Sequence, residues 1–77
     1  MSKSLRPLHA IAADVRADWK KVNYAARPYL EAMECLTLIT DNYGLDSARS
    51  IVAYFLANAG SWRGEVARAI KAELKTL

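Results

Sequence analysis

The chain has 77 residues, enough for one domain near the lower size limit for a single hydrophobic core. Its single cysteine excludes an intramolecular disulfide and favours a reducing compartment, and its formal net charge of +3 is low for a dedicated DNA-binding protein. No apolar run is long enough for a signal peptide or a membrane span, so we expect a cytoplasmic protein that does not bind membranes.

The first predicted helix runs from about residue 5 to residue 23, with Ser4 as its cap. Pro7 is tolerated in the first turn because the N–H groups there have no intrahelical partner. The apolar residues of this segment recur at helical spacing and are Leu8, Ile11, Ala12, Val15, Trp19 and Val22. The segment is therefore expected to bury one face.

The second predicted helix covers about residues 28–42 and begins at Pro28, because a proline disfavours helical dihedrals at the residue before it. Its apolar face comprises Tyr29, Leu30, Met33, Leu36 and Ile39. Leu38 projects among the acidic residues of the opposite face. It is therefore either an exposed leucine or a contact for a partner.

Two glycines divide the second half of the chain. Gly44 and Gly60 each follow an apolar run and precede a residue that can cap a helix, Asp46 and Ser61 respectively. Such pairs are typical of one helix ending and the next beginning. The pattern predicts a third helix over about 47–59.

The third helix has only one charged residue, Arg49, so we expect it to lie at the centre of the fold. The fourth helix is predicted over about 62–76. Its inner face should comprise Trp62, Val66, Ala69, Ile70, Leu74 and Leu77. Glu73 falls within that face, so it must extend to solvent, pair with a base or face a partner. The sequence thus predicts an all-α, single-domain four-helix bundle with helix 3 (about 46–59) central.

No set of residues has the types and spacing of a known catalytic or metal site. The only histidine, His9, and the only cysteine, Cys35, lie on different predicted helices, with no pair of carboxylates beside either. Cys35 is expected at the edge of the core. We therefore expect no enzyme activity, metal, cofactor or small-molecule substrate.

Residues 47–76 partly fit a helix-turn-helix with Gly60 in the turn. However, Leu56 stands where a small residue is expected, and Ser61 where an apolar one is expected. Helix 4 would then be the reading helix. Its basic side chains are Arg63, Arg68, Lys71 and Lys75. They could contact phosphates or an acidic partner, or they could form an ordinary solvated face.

Aromatic residues suggest a partner surface, since tyrosine and tryptophan outnumber phenylalanine by six to one. Most of these rings are expected in the core or at its edge. The side chains left as candidates for a partner surface are Tyr24, Leu38, Tyr43 and Tyr54. Because small chains often gain stability by self-association, a homodimer is the first partner to test.

Five segments of the chain form a pattern that recurs elsewhere: NYAARPYLEAM (23–33), YGLDS (43–47), IVAYFL (51–56), SWRGE (61–65) and IKAEL (70–74). Together they resemble small proteins encoded by actinobacterial phages and prophages, over about residues 11–77. The resemblance implies an accessory protein made in the cytoplasm of an infected bacterial host, with host interference or regulation as its role. It assigns no activity and no functional residues.

The function expected from these observations is that of a non-enzymatic helical binding module, a phage-type accessory protein that contacts itself or a host protein. One alternative is a small DNA-binding regulator that uses helix 4. A second alternative is a structural component of a larger assembly.

Overall fold

The structure, a computed structural model, describes residues 6–77. This part of the chain forms four helices and a two-stranded hairpin, so the prediction of a mostly helical fold is confirmed. The elements in chain order are α1 (Leu8–Asp18), α2 (Arg27–Met33), β1 (Asn42–Tyr43), β2 (Asp46–Ser47), α3 (Ala48–Ala57) and α4 (Glu65–Lys75). All four helices are shorter than predicted, and a four-helix bundle is not confirmed.

The start of α1 is fixed by a distant segment of the chain. The N–H groups of the first two residues of α1 donate to the backbone carbonyls of Thr37 and Leu36, both at 2.9 Å. These contacts satisfy donors that have no partner within the helix. The predicted cap, Ser4, lies outside the described residues.

Helix α2 ends at Met33, well before the predicted end near residue 42. The carboxylate of Asp41 accepts hydrogen bonds from the N–H groups of Thr37 (3.2 Å) and Leu38 (2.9 Å). An aspartate that bonds nearby backbone donors in this way stabilises a turn in place of a helix. The prediction of one continuous second helix is therefore wrong.

A short hairpin follows this turn. Strands β1 and β2 are antiparallel, with Asn42 opposite Ser47 and Tyr43 opposite Asp46. Gly44 adopts a φ of +63°, the left-handed conformation that a tight hairpin turn requires. Gly44 thus turns a hairpin, and the prediction that it ends a helix is wrong.

Two predicted helix caps are also wrong. Ser47 caps α3 in place of Asp46, since the Ser47 side chain accepts a hydrogen bond from the N–H of Ser50 at 3.1 Å. Helix α4 begins after Gly64, whose φ is +113°, and not after Ser61. An extra non-helical stretch therefore lies between α3 and α4.

The centre of the core is a cluster of three aromatic rings. Phe55 is fully buried and meets Trp19 and Trp62 edge-on, at centroid distances of 6.2 and 6.3 Å. The two indoles stack with centroids 5.6 Å apart and an interplanar angle of 6°. The cluster joins the end of α1, the last turn of α3 and the connector before α4.

Helix α3 is not surrounded by the other helices. It packs mainly against α2, while α4 packs against α1. One side of α3 is buried and comprises Ala48, Ile51, Val52 and Phe55. The other side is exposed and includes Arg49, Ala53, Tyr54 and Ala57. The prediction of a central third helix is therefore wrong.

Candidate interaction surfaces

The four residues predicted as a partner surface are exposed, but they lie on different elements. Tyr24 is 81% exposed in the turn before α2, and Leu38 is 57% exposed in the turn after it. Tyr43 (44%) lies on β1 and Tyr54 (51%) on α3. Of the three tyrosines, only Tyr54 has an aromatic neighbour within the described chain: Tyr29 of α2, with centroids 5.4 Å apart.

Tyr54 belongs to a surface without charge on α2 and α3, which we call the tyrosine face. Its members are Tyr29, Ser50, Ala53, Tyr54 and Ala57, and the last four recur at helical spacing along α3. Arg49 is the only charged residue of α3, and its Nη1 donates to the carbonyl of Leu77 at 3.3 Å. The tyrosine face is thus a partly exposed helix surface whose members carry no charge, with an aromatic pair at one edge and Arg49 on the same side of α3.

Leu38 lies at a second surface, a cavity of about 310 Å³ beside the start of α1. Its apolar lining comes from Leu8, Leu38, Ile39 and Leu77. Leu38 was predictable as an exposed residue, but its neighbours in this cavity were not, because the turn that groups them replaces the predicted end of helix 2.

Arg6 lies at the edge of this cavity and forms the centre of an ion-pair network. Its guanidinium donates to both carboxylate oxygens of Glu73, at 2.7 and 3.0 Å, and to Asp14 at 2.5 Å. The hydrogen bonds to Glu73, and then those to Asp14, raise the pKa of Arg6 above its usual value. Of the three roles open to Glu73, the structure shows pairing with a base.

A third surface lies between α1 and α4. It is a groove of about 430 Å³ lined by Ala17, Val66, Ala69 and Ile70, with Asp14 and Asp18 beside them. Val66 is 45% exposed and Ala69 is exposed, so their predicted place on the inner face of helix 4 is wrong. The groove was not predictable from the sequence, because the apolar spacing of Val66 and Ala69 indicates core positions.

The fourth surface contains the predicted basic residues. Arg63, Arg68 and Lys71 line a cavity of about 270 Å³ with Trp62, which we call the basic cavity. The Lys71 ammonium lies 5.8 Å from the centroid of the Trp62 ring and donates to the Trp62 carbonyl at 2.7 Å. Lys75 follows one helical turn beyond Lys71.

The connection between α3 and α4 does not resemble that of a helix-turn-helix. It spans residues 58–64, longer than the turn of about three to four residues in that motif. Helix α4 also packs mainly against α1. Any binding of nucleic acid by α4 would therefore depend on its charges and not on that motif.

The side chains that could take part in catalysis or bind a metal ion are dispersed over the described part of the chain. Within residues 6–77, no three His, Cys, Asp or Glu side chains converge in a way that could hold a metal ion. His9 is exposed, and so is Cys35, which was expected at the edge of the core.

No known protein family, characterised protein or solved structure matches this chain. No helix within the described part is both long and apolar enough to cross a membrane. The surfaces described above are therefore the basis on which a function is proposed.

Proposed function

We propose that the protein is a non-enzymatic binding module that acts through protein contact, first with a second copy of itself at the tyrosine face. The observation that supports this proposal is the pair of exposed Tyr54 and half-buried Tyr29 at the edge of a helix surface whose members carry no charge. Tyrosine is enriched in protein interfaces because its ring can be buried while its hydroxyl stays wet.

Charge favours a second copy as the occupant of this face. In a two-fold dimer, a surface patch of one copy contacts the same patch of the other copy. A charged patch would therefore face like charge. The outer side of α4, with Arg68, Lys71 and Lys75, would repel itself. The tyrosine face has no charge to repel, and Ala53 and Ala57 would let two helices approach to about 8 Å.

The size of the face predicts a modest affinity. A standard interface buries about 800 Å² on each partner, whereas the whole chain exposes only 4949 Å². Helix α3 is about 15 Å long at 1.5 Å per residue. It cannot supply such an area alone, so α2 with Tyr29 must share the contact. A dimer that depends on concentration is expected.

Sedimentation or light scattering across a concentration series tests the proposal. The wild-type protein should pass from monomer to dimer by about 100 µM, in the weak range for small interfaces. Tyr54→Glu places a carboxylate that would face the same carboxylate of the second copy. It should weaken dimerisation at least about tenfold, which is about 1.4 kcal/mol of binding free energy. Tyr24→Glu makes the same change away from α3 and should leave dimerisation unchanged.

Two results would contradict this assignment. A wild-type chain that stays monomeric over the whole series would remove self-association. An equal loss in Tyr24→Glu and Tyr54→Glu would place the contact elsewhere or reveal a general effect of negative charge. Circular dichroism of both variants must first show the wild-type helix content.

The biological setting follows from the sequence resemblance. It supports an accessory protein of phage type that works in the cytoplasm of a bacterial host, on itself or on a host protein. Neighbouring genes test this setting: replication or regulatory genes beside the coding sequence would support it. Tail or capsid genes, with co-purification of the protein with particles, would support a structural component instead.

A further inference from the structure

The basic cavity groups cations that have no carboxylate partner. Arg63, Arg68 and Lys71 line one concave surface, and none of them lies within 4.0 Å of a carboxylate in the described chain. Arg6 and Arg16, by contrast, are both ion-paired. Like charges around a concavity add their potentials and attract an anionic partner.

The same surface offers no apolar anchor. The large hydrophobic side chains that are exposed in the described chain lie elsewhere, and Trp62 in the cavity wall is only 2% exposed. Protein interfaces usually centre on buried aromatic or aliphatic anchors, and helices on membranes insert apolar side chains. Binding to a phosphate backbone requires neither, because its affinity is electrostatic.

The cations continue as a row along α4. Arg68, Lys71 and Lys75 recur at helical spacing, and the first and last are separated by about 10 Å of helix rise. A duplex presents one negative charge per about 1.7 Å of its axis, so several phosphates fall within that span. Helix α4 contains no Asn, Gln, Ser or Thr, and Arg68 is its only arginine, so it offers few side chains that could read base edges.

From this arrangement, we infer that the basic cavity and Lys75 bind the phosphate backbone of double-stranded nucleic acid without reading its sequence. The inference goes beyond self-association and depends on a different surface. It needs no helix-turn-helix, because the contacts are to phosphates alone.

Fluorescence anisotropy with two short DNA duplexes of unrelated sequence tests the inference. Both duplexes should bind with equal affinity at about 50 mM salt, and affinity should fall as salt rises. A plot of log K against log salt should have a slope of about −2.7 to −3.6, as expected for three or four phosphate contacts.

A pair of double variants locates the contact. Arg68→Ala/Lys75→Ala removes two exposed cations of the row and should flatten the salt slope by about 2, with at least about tenfold weaker binding at low salt. Lys20→Ala/Lys21→Ala removes the same total charge from exposed positions beyond α1 and should change affinity by less than about twofold. Lys71 is left intact because it also bonds the Trp62 carbonyl.

Three results would overturn the inference. The first is that the wild-type protein does not bind the duplexes at about 50 mM salt. The second is that both double variants lose the same amount of duplex affinity. The third is that the protein binds an acidic peptide or anionic vesicles more tightly than the duplex. If the wild-type protein dimerises but does not bind the duplex, this inference is overturned and the proposed self-association stands. If the protein binds the duplex but is a strict monomer, the proposed self-association is overturned and this inference stands.

Discussion

Trp62 shows how one residue joins separate parts of this small fold. Its indole stacks on Trp19, and its indole N–H donates to Asp18 Oδ2 at 2.8 Å. Its carbonyl accepts from Lys71. The side chain is only 2% exposed, so Asp18 supplies an acceptor that water would otherwise have to provide.

Removing that acceptor should destabilise the protein. Asp18→Ala leaves a buried indole N–H without a partner, which costs about 1–3 kcal/mol of unfolding free energy. Asp18→Asn keeps an oxygen acceptor and should cost less. Urea denaturation followed by circular dichroism measures both values. Equal losses in the two variants would show that the hydrogen bond does not stabilise the fold.

At the scale of elements, the helices were predictable and their boundaries were not. The apolar spacing around Leu30 and Met33 correctly indicates a helix, but nothing local shows that it stops at Met33. The carbonyls of Leu36 and Thr37 bond the start of α1, and residues inside a longer helix would have those carbonyls occupied. A long-range contact therefore decides this boundary.

Gly44 was ambiguous for a different reason. A helix end and a hairpin turn both use a glycine with positive φ, so the residue type alone cannot separate them.

The candidate surfaces were predictable only in part. The small residues beside Tyr54 showed that α3 has a second apolar side, but not that the chain leaves it uncovered. The groove around Val66 depends on how α4 lies across α1, and that relation has no local signature.

The three glycines allow a graded test of the element boundaries. Gly64, at φ +113°, lies in a region open to glycine almost alone, so Gly64→Ala should cost about 1–3 kcal/mol. Gly44→Ala, at φ +63°, should cost about 1–2 kcal/mol.

Gly60→Ala serves as the matched control. No atom lies within 4 Å of a Cβ added at any of the three positions, so differences among the variants report backbone conformation. Gly60 does not have positive φ, and its variant should be neutral or slightly stabilising. Chemical denaturation of the three variants checks the order, and a loss at Gly60 as large as that at Gly64 would refute it.

At the scale of the whole molecule, stability depends on one small core. A chain of this length typically has a free energy of unfolding of about 4–12 kcal/mol. Phe55 is fully buried against both stacked indoles and links α3 to the end of α1 and to the connector before α4. Loss of its ring would therefore affect most of the molecule at once.

Phe55→Ala should lower the free energy of unfolding by about 3–5 kcal/mol, which is a large part of the total stability. Thermal unfolding followed by circular dichroism should show a much lower midpoint or no transition. The control is Leu45→Ala at the tip of the hairpin, where the side chain is 105% exposed and the change should be within about 0.5 kcal/mol. A small effect at Phe55 would contradict the proposed role of the aromatic cluster.

The stacked indoles also give the protein an optical reporter of its own. Trp19 and Trp62 are its only tryptophans, and their ring centroids lie 5.6 Å apart, close enough for excitonic coupling in the ultraviolet. Because each ring comes from a distant stretch of chain, that coupled band would vanish when those stretches separate. Unfolding of the core could then be followed without attaching a dye.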